Sequence, residues 1–208
     1  MTIETELKKR LKYPYKWGNI QNNYYDKMTN FIYTNFHLDE VINRLKSDFE
    51  NTPDFYQMFN YALNRWYNFW SAVAIEKIFC SFPSVTPSLN QKDRLVDFTI
   101  QGISFDHKTS IFPKYYQHSI EYAKNYPENL INWLYTNQSR EQRQHFRNRL
   151  FIVVYNKGNV ESWKLKAEIE WLEGLIRHYI EHFDEKNLKR LKFLLDMPTL
   201  SDIIWAEQ

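Results

Sequence analysis

The sequence predicts an α/β fold, a mixed sheet of about four strands flanked by helices, with an N-terminal helical extension. Three observations lead there. Apolar and polar residues alternate over 94–100 (RLVDFTI) and 103–110 (ISFDHKTS), the period of half-buried strands. A continuous apolar run at 150–155 (LFIVVY) has the character of a strand buried on both faces. Segments of helical period lie between and around these runs, so the two kinds of element alternate.

Taken in order, residues 1–52 form the helical extension and 53–208 the α/β domain. In the extension, Asp39 is placed to cap a helix that carries Val41, Ile42, Leu45 and Phe49 on one face. Pro53 and Asp54 restart the chain. A long helix follows over 55–82, with Phe59, Leu63, Trp66, Trp70, Val73 and Phe79 at near-helical steps. Its second half is apolar on almost every side, the mark of a buried helix. Pro83 and Pro87 end it, around a weak extended stretch at 84–89. The two period-two runs then read as a hairpin turning at Gln101 and Gly102. Residues 115–149 read as helical, with breaks near Pro127 and 137–139. A helix over 161–183 and an edge strand at 201–205 complete the chain.

Composition removes several function classes. The 208 residues contain 4 glycines, and neither a GxGxxG nor a GxxxxGK[ST] phosphate loop occurs. Cys80 is the one cysteine, so neither an intrachain disulfide nor a cysteine-based zinc site forms within one chain. The longest apolar stretch, 69–82, carries Glu76 and Lys77 and is too short to span a bilayer. The N-terminus lacks an apolar signal region, so a cytoplasmic location is expected. Net charge is +2, yet 101–150 holds 7 basic against 4 acidic residues, which suits a nucleic-acid enzyme with a local basic face.

The chemistry concentrates in the hairpin. With a two-residue loop at 101–102, facing pairs sum to 203, and Asp97 lies opposite Asp106 on one face. Lys108 shares that face, while Val96, Phe98, Ile103 and Phe105 line the other, apolar one. A three-residue loop with a bulge at Gly102 would shift the register by one and part the pair. Facing carboxylates repel, and a chain tolerates this when a divalent cation sits between them. Hard oxygen ligands suit Mg2+ or Mn2+. The plainer reading is a solvated polar face with Lys108 as neutralising charge.

Asp97, followed after eight residues by Asp106-His107-Lys108, resembles the PD-(D/E)xK phosphodiesterases, the restriction endonuclease-like superfamily. The resemblance covers about 55–155, in the order helix, strand, hairpin, helix, strand. Of three [DE]xK tripeptides, at Glu6, Asp106 and Asp184, only the second stands on a strand with an aspartate across a tight turn. Val96 occupies the position of the family's proline. The resemblance implies Mg2+ (or Mn2+) held by Asp97, Asp106 and the His107 carbonyl, with Glu76 adding a ligand. It implies that Lys108 positions the attacking water and that the substrate is DNA.

Arg140, Arg143, Arg147 and Arg149, with one acid among them, suit phosphate contacts, and a solvated helix face is the plainer reading. Gln117 is a further candidate contact, and a homodimer is compatible with these features. His178 and His182 stand at i, i+4, but no third metal ligand accompanies them. The rival to a nuclease is an inactive nucleic-acid-binding or protein-interaction module on the same fold.

Overall fold

The computed structural model describes residues 2–17, 23–89, 95–137, 146–158, 161–193 and 197–208, Asn23 in its backbone alone. The chain divides into two compact units. One comprises Met1–Ala74 with Ala167–Ile169, the other Ile75–Lys166 with Glu170–Gln208. The turn at residues 51–54, next to the expected boundary, lies inside the first unit.

The first unit is helical: α1 (Ile3–Arg10), α2 (Asn23–Met28), α3 (Leu38–Phe49) and α4 (Phe55–Cys80) up to Ala74. Leu7, Leu38, Val41, Leu45, Tyr61, Trp66 and Tyr67 are fully buried in it. Asp39 does not cap α3; it sits within the first turn, and His37 at the N-cap makes no side-chain cap. The free amide of Leu38 instead donates to Glu6 Oε2 of α1 at 3.0 Å. A buried carboxylate thus closes the helix start, in keeping with the partial positive charge there.

The second unit is the α/β part. Its strands are β1 (Val85–Pro87), β2 (Phe98–Ile100), β3 (Ile103–Ile111), β4 (Arg149–Tyr155), β5 (Lys189–Leu191) and β6 (Thr199–Glu207). They form one mixed six-stranded sheet in the order β1-β2-β3-β4-β6-β5, where about four strands were expected. β1, β2 and β3 are antiparallel neighbours; β3, β4 and β6 run parallel. The parallel steps cross over through α5 (Ile120–Asn125) with α6 (Pro127–Asn137), and through α7 (Ile169–Glu181).

Gln101 and Gly102 have φ of 48° and 84°, the left-handed pair of a type I′ turn, and Phe98 faces Phe105 in the sum-203 register. The two-residue loop therefore holds, and the bulged alternative does not. From Leu150 to Val154, β4 is buried throughout, as its apolar run predicts. One sheet face, with Phe151, Val153 and Ile203, packs on Leu130, Ile131, Leu134 and Tyr135 of α6. On the other, Phe98 stacks on Phe79 of α4, and Phe105 meets Phe183.

Several expected elements differ. β6 is an interior strand, because the three residues of β5 pair along its outer edge. The helical stretch expected over 115–149 holds α5 and α6, with the expected breaks at Pro127 and after Asn137; residues 138–145 lie outside the described ones, and Arg149, expected to be helical, opens β4. The helix over 161–183 is preceded by a 3-10 stretch, Ser162–Ala167, with α7 beginning at Ile169. Among the described residues, no helix is long and apolar enough to cross a membrane.

Burial by itself would raise Glu6, but the Leu38 amide, Lys9 and His37 outweigh it and hold the carboxyl below its ordinary value. A depressed carboxylate contributes stability above the unfolded value and loses it as pH falls through the folded one. Glu6→Gln is expected to destabilise the protein by about 1–2 kcal/mol at pH 7. The deficit relative to the unaltered protein should shrink below about pH 4. Urea unfolding across pH 3–7 checks both statements.

Candidate active site

The site forms where β2 ends and β3 continues. Beyond Phe98 the ladder between them stops: the Asp97 amide donates to the Phe105 carbonyl at 2.8 Å, and the Ser88 amide to the Asp97 carbonyl at 3.0 Å. Successive amides of a strand point to opposite sides. That of Asp106 donates to the Asn148 carbonyl ahead of β4, at 3.0 Å. The His107 amide therefore points to the side that β2 has left, and Asp97 Oδ2 accepts it at 2.8 Å. The same oxygen lies 2.6 Å from His107 Nδ1, so two groups of one residue grip one carboxylate oxygen.

Asp106 and Lys108 share the α6 side of the sheet, two residues apart on β3. Asp106 is in register with Arg149 across the parallel step, and Arg149 Nε donates to Asp106 Oδ2 at 2.6 Å, with Nη2 on the same oxygen. The guanidinium lies over the rings of Tyr135 and Phe151, 5.4 and 5.7 Å from their centroids. Asn148 braces the start of β4: its Nδ2 donates to the Ser104 carbonyl, and its Oδ1 accepts the Leu200 amide.

The charges are crowded. Burial would raise Asp97, but the bonds and charge of His107 outweigh it and keep the carboxyl below its usual range. Asp106 adds a smaller lowering influence on Asp97. Burial lifts Asp106 above its ordinary value against the pull of Arg149, and Asp97 adds to the lift. Glu76, on the last turns of α4, is raised by burial and then by Asp97. His107 is raised despite its burial, through Asp97, Asp106 and Glu76. Burial, then the repulsion of Arg149, pushes Lys108 down to about 8, with Lys166 adding to it and Asp106 opposing.

The structure thus brings together Glu76, Asp97, Asp106, His107 and Lys108. Among the described residues no group of three or more His, Cys, Asp or Glu side chains is disposed to hold a metal ion. The donor set still fits Mg2+, which keeps several waters and takes one or two carboxylates. The described hydrogen bonds from His107 and Arg149 fall on Oδ2 of each aspartate and none of them on Oδ1.

The basic cluster is not one helix face. Arg140 and Arg143 lie outside the described residues. Arg147 is exposed in the irregular lead-in to β4, where its carbonyl accepts from Tyr135 Oη at 2.7 Å. Arg149 is turned inward to Asp106, a role that sequence reasoning missed because it depends on pairing between strands 43 residues apart. Gln117 is exposed in the segment between β3 and α5. His178 and His182 are exposed near the end of α7, their rings 4.3 Å apart. Cys80 is partly buried, and burial raises its thiol to about 11, which suits a packing residue.

No family model, curated protein or solved structure matches the chain.

A lysine whose folded value is depressed costs stability while it must stay protonated. That cost is full below about pH 8 and fades as pH rises toward the ordinary lysine value. Lys108→Met is therefore expected to stabilise the fold by about 1–3 kcal/mol at pH 7, an advantage that vanishes near pH 10. Chemical denaturation at the two pH values checks this, and a less stable K108M at pH 7 would contradict it.

Proposed function

We propose that the protein is a divalent-metal-dependent nuclease that hydrolyses phosphodiester bonds of DNA in the manner of the PD-(D/E)xK enzymes, in a cytoplasmic setting. The observation that carries this reading is the pair of partly buried, adjacent carboxylates, Asp97 and Asp106, beside a lysine with a depressed value on the Asp106 face. A purely structural strand end needs none of these three groups. The order of α4, β1, the β2–β3 hairpin, the α5–α6 crossover and β4 is compatible with a restriction endonuclease-like core.

Asp97 and Asp106 would hold Mg2+ or Mn2+ through Oδ1, with the His107 carbonyl and, directly or through water, Glu76. The cation supplies screening of the negative charge that builds on the phosphate. Lys108 Nζ orients the attacking water and, in its neutral form, accepts a proton from it. The water oxygen bonds to phosphorus in line with the P–O3′ bond, which breaks. The 3′ oxygen gains a proton and the phosphate remains on the 5′ side. Arg147, with Arg140, Arg143 and Gln117, supplies contacts to the DNA backbone.

One observation favours the second reading, a catalytically silent nucleic-acid-binding or protein-interaction module. The ion pair between Asp106 and Arg149 is a way to neutralise that carboxylate without a cation.

Purified protein is expected to nick or linearise plasmid DNA in Mg2+ or Mn2+. Ca2+, whose coordination is looser, should support binding without turnover. Lys108→Ala should lower the rate about 100- to 1000-fold while leaving DNA affinity within a few-fold. DNA binding with no cleavage in either active metal, by the unaltered protein, would favour the silent module.

A further inference from the structure

In the Asp106-His107-Lys108 run, the pleat turns the middle residue away from its neighbours. Asp106 and Lys108 face α6, while the His107 ring lies on the opposite face. There it is 5% exposed and lies beside Phe98 and Phe79, with centroids 6.1 and 6.2 Å away. Its Nε2 is buried and has no hydrogen-bond partner among the described residues. An apolar side chain would fill this slot without leaving a polar atom unsatisfied. What a histidine adds is Nδ1–H, 2.6 Å from Asp97 Oδ2.

Asp97 needs such a hold. It stands just outside the β2–β3 ladder, and without the imidazole one backbone amide, that of His107, would be left to fix Oδ2. A carboxylate on a single hydrogen bond can turn about its side-chain torsions. Two donors on the same oxygen, one from the strand edge and one from behind the sheet, fix its plane and so the direction of Oδ1.

We propose that the His107 side chain is a positioning residue, which clamps Asp97 through Nδ1 so that Oδ1 stays aligned with Asp106 for a divalent cation. This rests on the nuclease reading and assigns to His107 a part distinct from that of its backbone carbonyl. The clamp acts from the far face of the sheet and does not touch water or phosphate. Partners that orient metal ligands in this way usually account for about 10- to 100-fold in metal affinity.

Two variants separate positioning from packing. His107→Phe keeps a ring beside Phe79 and Phe98 but donates nothing. His107→Asn gives up the ring and keeps an N–H donor near Nδ1. Mn2+ affinity is measured by calorimetry on the full chain, thermal unfolding on the same samples, and cleavage as a function of Mn2+ concentration. His107→Phe is expected to melt at or above the temperature of the unaltered protein, yet to bind Mn2+ about 10- to 100-fold more weakly. Its half-saturating Mn2+ for cleavage should rise in proportion, with a smaller change in the saturated rate. His107→Asn is expected to melt lower and to recover Mn2+ affinity to within a few-fold.

Unchanged Mn2+ affinity in His107→Phe would overturn the clamp and leave the nuclease reading standing. Loss of affinity in both variants in parallel with their melting temperatures would also overturn it, since packing alone would then account for the histidine. Failure of the unaltered protein to bind Mn2+ would overturn the nuclease reading and the clamp with it. Should His107→Phe fail to fold, recovery or loss of affinity in His107→Asn decides the matter.

Discussion

The site depends on the tight turn at Gln101 and Gly102. Both residues take a left-handed backbone, at φ of 48° and 84°, and together they set the register of the β2–β3 hairpin. Side chains alternate along a strand, so a slip of one residue would exchange the faces of β3. Asp106 and Lys108 would then turn into the slot beside Phe79, and His107 toward α6. Glycine takes the second turn position without strain; glutamine at the first does not, and the apolar pairing of Phe98 with Phe105 behind the turn must offset that cost.

From this register follows an electrostatic conflict that the fold contains rather than removes. Asp97 and Asp106 are partly buried near each other, with Glu76 close enough for Asp97 to perturb it. His107 grips one aspartate from behind the sheet, and Arg149 grips the other from β4. Lys108 is partly buried and repelled by Arg149 and Lys166. Groups placed against their own solvation cost stability, and a chain keeps such an arrangement where it serves chemistry. The conflict is of one kind: carboxylates that repel each other, and a lysine whose ammonium is disfavoured by burial and by its cationic neighbours.

Much of this was legible in the residues, and the rest shows where local pattern ends. The alternation of 94–110 with a glycine at the turn was enough to pair Phe98 with Phe105 and to set Asp106 and Lys108 on a common face. The run at 150–155 was enough to bury β4. The KRL run of β5 shows no apolar alternation, so β5 was missed and β6 was placed at an edge. Arg149 ends a run of helical composition, while pairing with β3 makes it a strand residue. Nothing near Arg149 in the chain announces Asp106, and nothing near Leu38 announces that Glu6 closes its helix. The opposite orientation of His107 could be read from the pleat, but its partner could not. Asp97 reaches it only because β2 ends one residue early.

Whether the paired aspartates are a cation site is tested most directly by a crystal structure of the protein grown with Mn2+, with anomalous diffraction to locate the ion. One Mn2+ for each chain is expected between Asp97 and Asp106, coordinated by a carboxylate oxygen of each and by the His107 carbonyl. An ion bound elsewhere, or none at a saturating Mn2+ concentration with the Asp106–Arg149 pair intact, would contradict it.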